Sequence, residues 1–181
     1  MNTRRFESRK RDHIRLALNP KNQATGQSGL DQVHLFHEAL PEMDLGDVRL
    51  TSEFFGVTSP SPFFLSSMTA GHKDGEKMNT ILARAAAHRG WPMGVGSQRR
   101  ELSDPRAGRE WKRLRKLAPK TLFFSNIGIA QAILHPAKDV LRLMESLDAR
   151  ALIVHLNALQ EALQPEGTPQ FRGGLRAIEV D

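Results

Sequence analysis

A chain of 181 residues that is 39% hydrophobic and 25% charged has the composition of an ordinary globular protein and enough apolar material to bury a core. It holds no cysteine, which excludes disulfides, thiolate metal sites and cysteine nucleophiles, and no apolar run approaches the ~18 residues that a membrane span requires. A net charge of +6 favours anionic partners: nucleic acid, a membrane surface or a phosphorylated small molecule.

The start, Met1-Asn2-Thr3-Arg4-Arg5, runs into charged residues rather than the apolar segment of a secretory signal, so a cytoplasmic location without membrane association is expected. Arg4, Arg5, Arg9, Lys10, Arg11 and Arg15 form one basic cluster, on a helix predicted from about Arg4 to Leu18. Residues 1–60 read as an N-terminal extension of helix and loop, in which His34 and His37 have only Glu38 nearby and look like surface residues rather than metal ligands. The histidines at 72, 88 and 135 also lack supporting ligands.

From residue 61 the pattern changes. Four short apolar stretches, 63–66, 92–95, 121–124 and 151–154, lack clean alternation, as strands buried on both faces do. Their starts are 29, 29 and 30 residues apart. Between them lie helical patterns. Met78, Ile81, Leu82 and Ala85 stand at i, i+3, i+4, i+7 before a basic turn and Gly90; Trp111, Leu114 and Leu117 mark a second helix; Val140, Leu141, Met144 and Leu147 mark a third, with Arg142 and Glu145 facing away. A further helix is expected just past Gly173-Gly174. Strand and helix in alternation predict a parallel sheet.

Two architectures fit: a doubly wound open sheet and a (β/α)8 barrel. No G-x-G-x-x-G follows any strand, whereas all four strands end in polar residues, which suits a barrel mouth. The expectation is therefore an α/β fold in which residues 61–181 are the first four βα units of a TIM barrel. About 120 further residues would be needed to complete it, so the chain alone is expected to hold its cofactor weakly and to lack turnover.

The polar strand ends are the candidate site. Arg9 and Lys10 could clamp a diphosphate by charge-assisted hydrogen bonds, although the same charges suit a solvated face or a nucleic-acid arm. The segment Ser67-Met68-Thr69-Ala70-Gly71 offers small residues and backbone amides that a flat ring or phosphate can approach. Ser97, Gln98 and Arg99 add a hydroxyl, an amide and a guanidinium, and Asn126 can bond the edge of a heterocycle or serve as a turn residue. His155 and Asn157 project to one side by strand periodicity, with Gln160 and Glu161 following. A single carboxylate suffices for Mg²⁺ when substrate phosphates complete its shell.

Taken in order, Arg-Lys-x-Asp-His-Ile at 9–14, Met-Thr-Ala-Gly at 68–71, Gly-Ser-Gln-Arg at 96–99, Asn126 and His-Leu-Asn-x-x-Gln-Glu at 155–161, followed by Pro165-Glu166-Gly167, resemble the type II isopentenyl-diphosphate isomerase family. The resemblance covers nearly the whole chain and implies its N-terminal half. It implies a barrel enzyme of isoprenoid biosynthesis that carries reduced FMN, draws on NADPH, needs Mg²⁺ and interconverts isopentenyl and dimethylallyl diphosphate. It assigns Arg9, Lys10, Ser97, Gln98, Arg99 and Gln160 to the substrate, Met68, Thr69, Ala70, Ser97 and Asn126 to the flavin, and Glu161 to the metal. Gln160, His155 and Asn157 are the catalytic candidates. Ala70 stands where the family commonly has glycine. A homo-oligomer is expected if the barrel is completed, and nucleic acid is not an expected partner. Competing classes are an FMN-dependent oxidoreductase, which leaves Arg9, Lys10 and Arg99 unexplained, an inactive fragment, and a basic nucleic-acid binder. An aromatic content of only 6%, with no tyrosine, counts against the last.

Overall fold

The computed structural model describes residues 12, 15–23, 25–26, 28–67, 70, 73–165 and 167–179. Residues 12 and 15–18 are helical, within the span predicted for the first helix. Residues 28–50 are exposed throughout and hold two short 3-10 turns, so His34 and His37 are surface residues.

A hairpin follows that the sequence reading does not contain. Strands β1 (Ser52–Phe54) and β2 (Val57–Ser59) pair antiparallel across Phe55-Gly56, both at positive φ (51° and 76°). A two-residue turn of this hand matches the right-handed twist of the strands it joins, but it normally announces itself as Asn-Gly. Here phenylalanine takes the first position. Its ring packs on Phe124 at 5.4 Å, and Arg150 donates from Nε and Nη2 to its carbonyl at 3.1 and 3.0 Å. Phe124 and Arg150 stand where two parallel strands begin, so the hairpin covers the N-terminal end of the sheet, opposite the polar strand ends.

The parallel sheet contains β3 (Met93–Gly94), β4 (Phe123–Gly128) and β5 (Ala151–His155), in that order. This overturns the barrel. Three strands in an open sheet do not close, since closure at this repeat takes about eight. The first predicted strand shrinks to one bridge, Leu65 to Met93, with Leu65 N donating to Pro92 O at 2.9 Å and Gly94 N to Leu65 O at 2.8 Å. Pro92 has no N–H to extend that ladder.

Helices cover one face of the sheet: α1 (Lys73–Arg89), α2 (Arg99–Ser103), α3 (Gly108–Leu117), α4 (Ile129–Leu134) and α5 (Ala137–Leu147), with α6 (Ala158–Leu163) and α7 (Gly174–Ile178) after β5. Met93, Val95 and Phe123 meet Ala83, Ala86, Trp111, Leu114 and Leu147 in the main core, while Ile127 meets Val140 and Leu143 beside it. The face that α1 buries is not the predicted one. Ile81 is 59% exposed, whereas Asn79, Ala83 and Ala86 are buried. Small side chains let the helix backbone approach the sheet closely, and the Asn79 amide donates to Glu110 Oε1 at 3.4 Å across to α3. In α5 likewise Leu141 is exposed and Leu143 takes its predicted place. Gly90, at φ 68°, stops α1 as expected, and a Cβ there would crowd Pro60 Cγ at 3.0 Å.

Glu101 and Glu110 sit half-buried in this helical layer, and desolvation raises both carboxyls above their ordinary range. Between the ordinary and raised values the folded state keeps protons that the unfolded chain has lost. Their contribution to stability is therefore fully present below the ordinary carboxylate range and is lost as pH rises through the raised values. Glu110→Gln is expected to melt about 1–3 °C above the parent near pH 7 and level with it near pH 4. Circular dichroism melts at the two pH values check this.

Candidate functional site

The far face of the sheet and its C-terminal ends carry the candidate residues. Along β4, Phe123, Ser125 and Ile127 face the helices, so Phe124 and Asn126 face the other way. In the β4–β5 register Asn126 stands opposite Ile153 and Gly128 opposite His155, which puts His155 on the Asn126 face, where it is exposed. Asn126 is 6% exposed and donates from Nδ2 to Ser67 Oγ at 3.3 Å, joining the first and third polar strand ends. Packing beneath them is close at Gly94: a Cβ there would lie 2.5 Å from Ser67 Oγ and displace that hydroxyl.

At the second strand end the three predicted substrate residues part company. Ser97 Oγ accepts from Arg99 N at 3.4 Å, and Arg99 stays half-buried with Nη2 donating to Thr168 Oγ1 at 3.1 Å. Gln98 turns the other way. Its side chain is 1% exposed and donates to Leu143 O at 2.9 Å and Ser146 Oγ at 3.2 Å, behind the sheet. It is a fastener between α2 and α5, remote from the rim. Its backbone N donates to Asn126 O at 2.8 Å, which fixes the Ser97 to Arg99 turn against β4.

The last motif forms a compact group. Asn157 caps α6, with Oδ1 accepting from Gln160 N at 3.1 Å and Nδ2 donating to Gln160 Oε1 at 2.6 Å. Glu161 Oε2 accepts from Thr168 N at 2.6 Å. Thr168 thus touches both Arg99 and Glu161, a meeting that the sequence motifs did not signal. The Ala70 side chain packs in the core with Met93 and Val95. Arg9, Lys10, Met68 and Thr69 lie outside the described residues. The same is true of Glu166.

A second run of basic residues, from Arg99 to Lys116, is used in part within the fold. Arg106 pairs with Asp104 at 3.0 Å, Arg113 with Glu76 at 2.5 Å, and Arg115 lies over the Phe123 ring at 4.7 Å. Among the described residues no group of three or more histidine, aspartate or glutamate side chains could hold a metal ion, and no helix is long and apolar enough to cross a membrane.

Nearly the whole chain is similar to proteins named isopentenyl-diphosphate delta-isomerase. It is 56% identical over 178 residues to the protein of that name from Bdellovibrio bacteriovorus, covering 96% of this chain and 51% of the relative. Identity is 49% over 175 residues to that from Legionella pneumophila strain Paris, covering 97% and 51%, and 42% over 175 residues to that from Halobacterium salinarum, covering 96% and 48%. The chain therefore spans about half the length of the curated relatives it matches. No family model matches it.

Proposed function

We propose that the chain serves the interconversion of isopentenyl and dimethylallyl diphosphate, with the substrate's diphosphate held between the basic N-terminal segment and the Arg99 turn. The observation that carries this reading is the convergence of Arg99 and Glu161 on Thr168, which brings a guanidinium and a carboxylate from two helices against one small loop. A diphosphate with a divalent cation needs that combination. The guanidinium bonds phosphate oxygens, and the carboxylate is one ligand of an octahedral Mg²⁺ whose remaining positions go to phosphate and water. The donor set fits Mg²⁺ in that form, since a site with one protein carboxylate depends on substrate oxygens to complete it.

FMN fits the rim by the same test of chemistry. Ser67, Ser97 and the buried Asn126 amide offer small polar groups on one side of a close-packed floor, as the edge of a flat heterocycle requires. In this proposal Ser97 and Asn126, with Met68 and Thr69, hold the flavin, and Ala70 supports that loop from the core. When bound and reduced by NADPH, the flavin would supply an electron-rich ring for the allylic chemistry. The chain's own residues do the rest. Arg9 and Lys10 with Arg99 bind the diphosphate, Gln98 holds the Arg99 turn in place, Asn157 fixes the Gln160 amide toward the alkene, and His155 is the group among them able to take up or release a proton. Moving the double bond adds one proton and removes another, so the reaction is redox-neutral and needs no net electron.

The test is isomerisation of isopentenyl diphosphate with FMN, NADPH and Mg²⁺ by this chain continued to the full length of its relatives, together with the Arg9→Ala, Lys10→Ala double variant of that protein. The double variant is expected to raise KM by roughly tenfold or more while leaving the flavin absorption spectrum unchanged. An unchanged KM returns both residues to a solvated basic face. No conversion by the parent under these conditions removes the reading for this chain.

A further inference from the structure

We propose that Thr168 is a positioning residue that fixes Arg99 and Glu161 relative to each other, and that Gly167 is the seat that makes this possible. The proposal rests on the reading of Arg99 as a diphosphate contact and Glu161 as a metal ligand.

The loop after α6 returns over the end of that helix. Gly167 N donates to Gln164 O at 2.9 Å, and a Cβ built on Gly167 would lie 2.0 Å from Glu161 O and 2.7 Å from Glu161 C. No side chain fits there, because the atoms in the way are backbone. The loop therefore lies flush against the helix, and the next residue is presented with little freedom. Thr168 then does two things at once. Its N–H donates to Glu161 Oε2 at 2.6 Å, and its Oγ1 accepts from Arg99 Nη2 at 3.1 Å. Thr168 O accepts from Gln170 N at 2.7 Å, closing the turn on its other side.

The two contacts have different chemical consequences. A backbone amide on one carboxylate oxygen restrains the rotation of Glu161, the kind of partner by which ligand orientation raises metal affinity. A hydroxyl on one of the five guanidinium donors fixes the plane of Arg99, and a fixed plane loses less entropy when it grips a phosphate. Because one contact comes from the backbone and the other from the side chain, mutation can separate them. Thr168→Val keeps the N–H and removes the hydroxyl. Gly167→Ala keeps the hydroxyl and pushes the N–H off Glu161.

The experiment measures two binding constants on the whole chain and its variants. Inorganic pyrophosphate is titrated calorimetrically with chelator present, and Mn²⁺ is titrated with pyrophosphate saturating each variant, since its oxygens complete the metal's shell, bound metal being read by electron paramagnetic resonance. Thr168→Val is expected to weaken pyrophosphate about tenfold and leave Mn²⁺ unchanged. Thr168→Ser should restore the parent value. Gly167→Ala is expected to weaken Mn²⁺ about tenfold, a figure in the range for loss of an orienting partner. If Gly167→Ala does not fold, the Val and Ser pair still decides the question, since neither disturbs the seat. Arg99→Ala separates this proposal from the reading beneath it. If Arg99→Ala leaves pyrophosphate binding unchanged, the diphosphate reading fails. If Arg99→Ala weakens it and Thr168→Val matches the parent, the positioning role of Thr168 is overturned.

Discussion

An Arg115→Met variant is expected to lose about 2 to 4 kcal/mol of stability and to melt roughly 5 to 15 °C below the parent. Arg115 closes the helical layer from underneath. It donates to Leu147 O at 3.0 Å, Pro119 O at 3.1 Å, Thr121 O at 2.8 Å and Asp148 O at 2.7 Å, and its guanidinium lies over the buried Phe123 ring. Those carbonyls end α5 and lead into β4. Asp148 itself stands at φ 52°, a left-handed conformation that costs a non-glycine residue unless its surroundings hold it. Methionine preserves the apolar stem and leaves the carbonyls without their donor. Urea unfolding followed by circular dichroism measures the loss; a midpoint equal to the parent's would mean that water replaces the guanidinium at no cost.

In the chain continued to the full length of its relatives, Glu161→Gln is expected to lower Mg²⁺-dependent isomerisation by roughly 100-fold or more, with the flavin spectrum unaltered. The substitution is chosen for what it keeps. Glutamine still offers an oxygen to the Thr168 amide, so the loop stays seated while the hard anionic ligand is gone. A Mg²⁺ titration of the initial rate is the check. A variant whose rate and Mg²⁺ midpoint match the parent's places the metal elsewhere.

The sequence disclosed the βα rhythm because three of the four predicted strands do run parallel in chain order. Rhythm, however, does not count strands, and the barrel inferred from it does not form. The reading also ended the β4 strand too early. Ser125 and Asn126 are polar and looked like its exit, yet both are buried in mid-strand. Ser125 reaches toward Leu143 O on the helix side, Asn126 reaches Ser67 on the other, and a single sequence does not reveal that such partners exist. Helix α1 misled in the opposite way, since the bulky residues that mark an apolar stripe are partly exposed and the small ones touch the sheet. At the site, residue types were legible and directions were not. Gln98 and Arg99 are adjacent, but α2 starts between them and turns one side chain behind the sheet and the other toward Thr168.

The hairpin at 52–59 carries a consequence for how the chain is made. The Arg150 guanidinium that grips the Phe55 carbonyl comes from 95 residues later in the sequence. At a ribosomal rate of about 5–20 residues per second, the hairpin spends roughly 5–20 s outside the exit tunnel before its anchor has been synthesised. Phe54 and Phe55 lack their ring contacts for that interval, because Phe64 and Phe124 gain a sheet to stand on only as β3, β4 and β5 assemble. The hairpin that emerges first is thus the last element to gain its anchor.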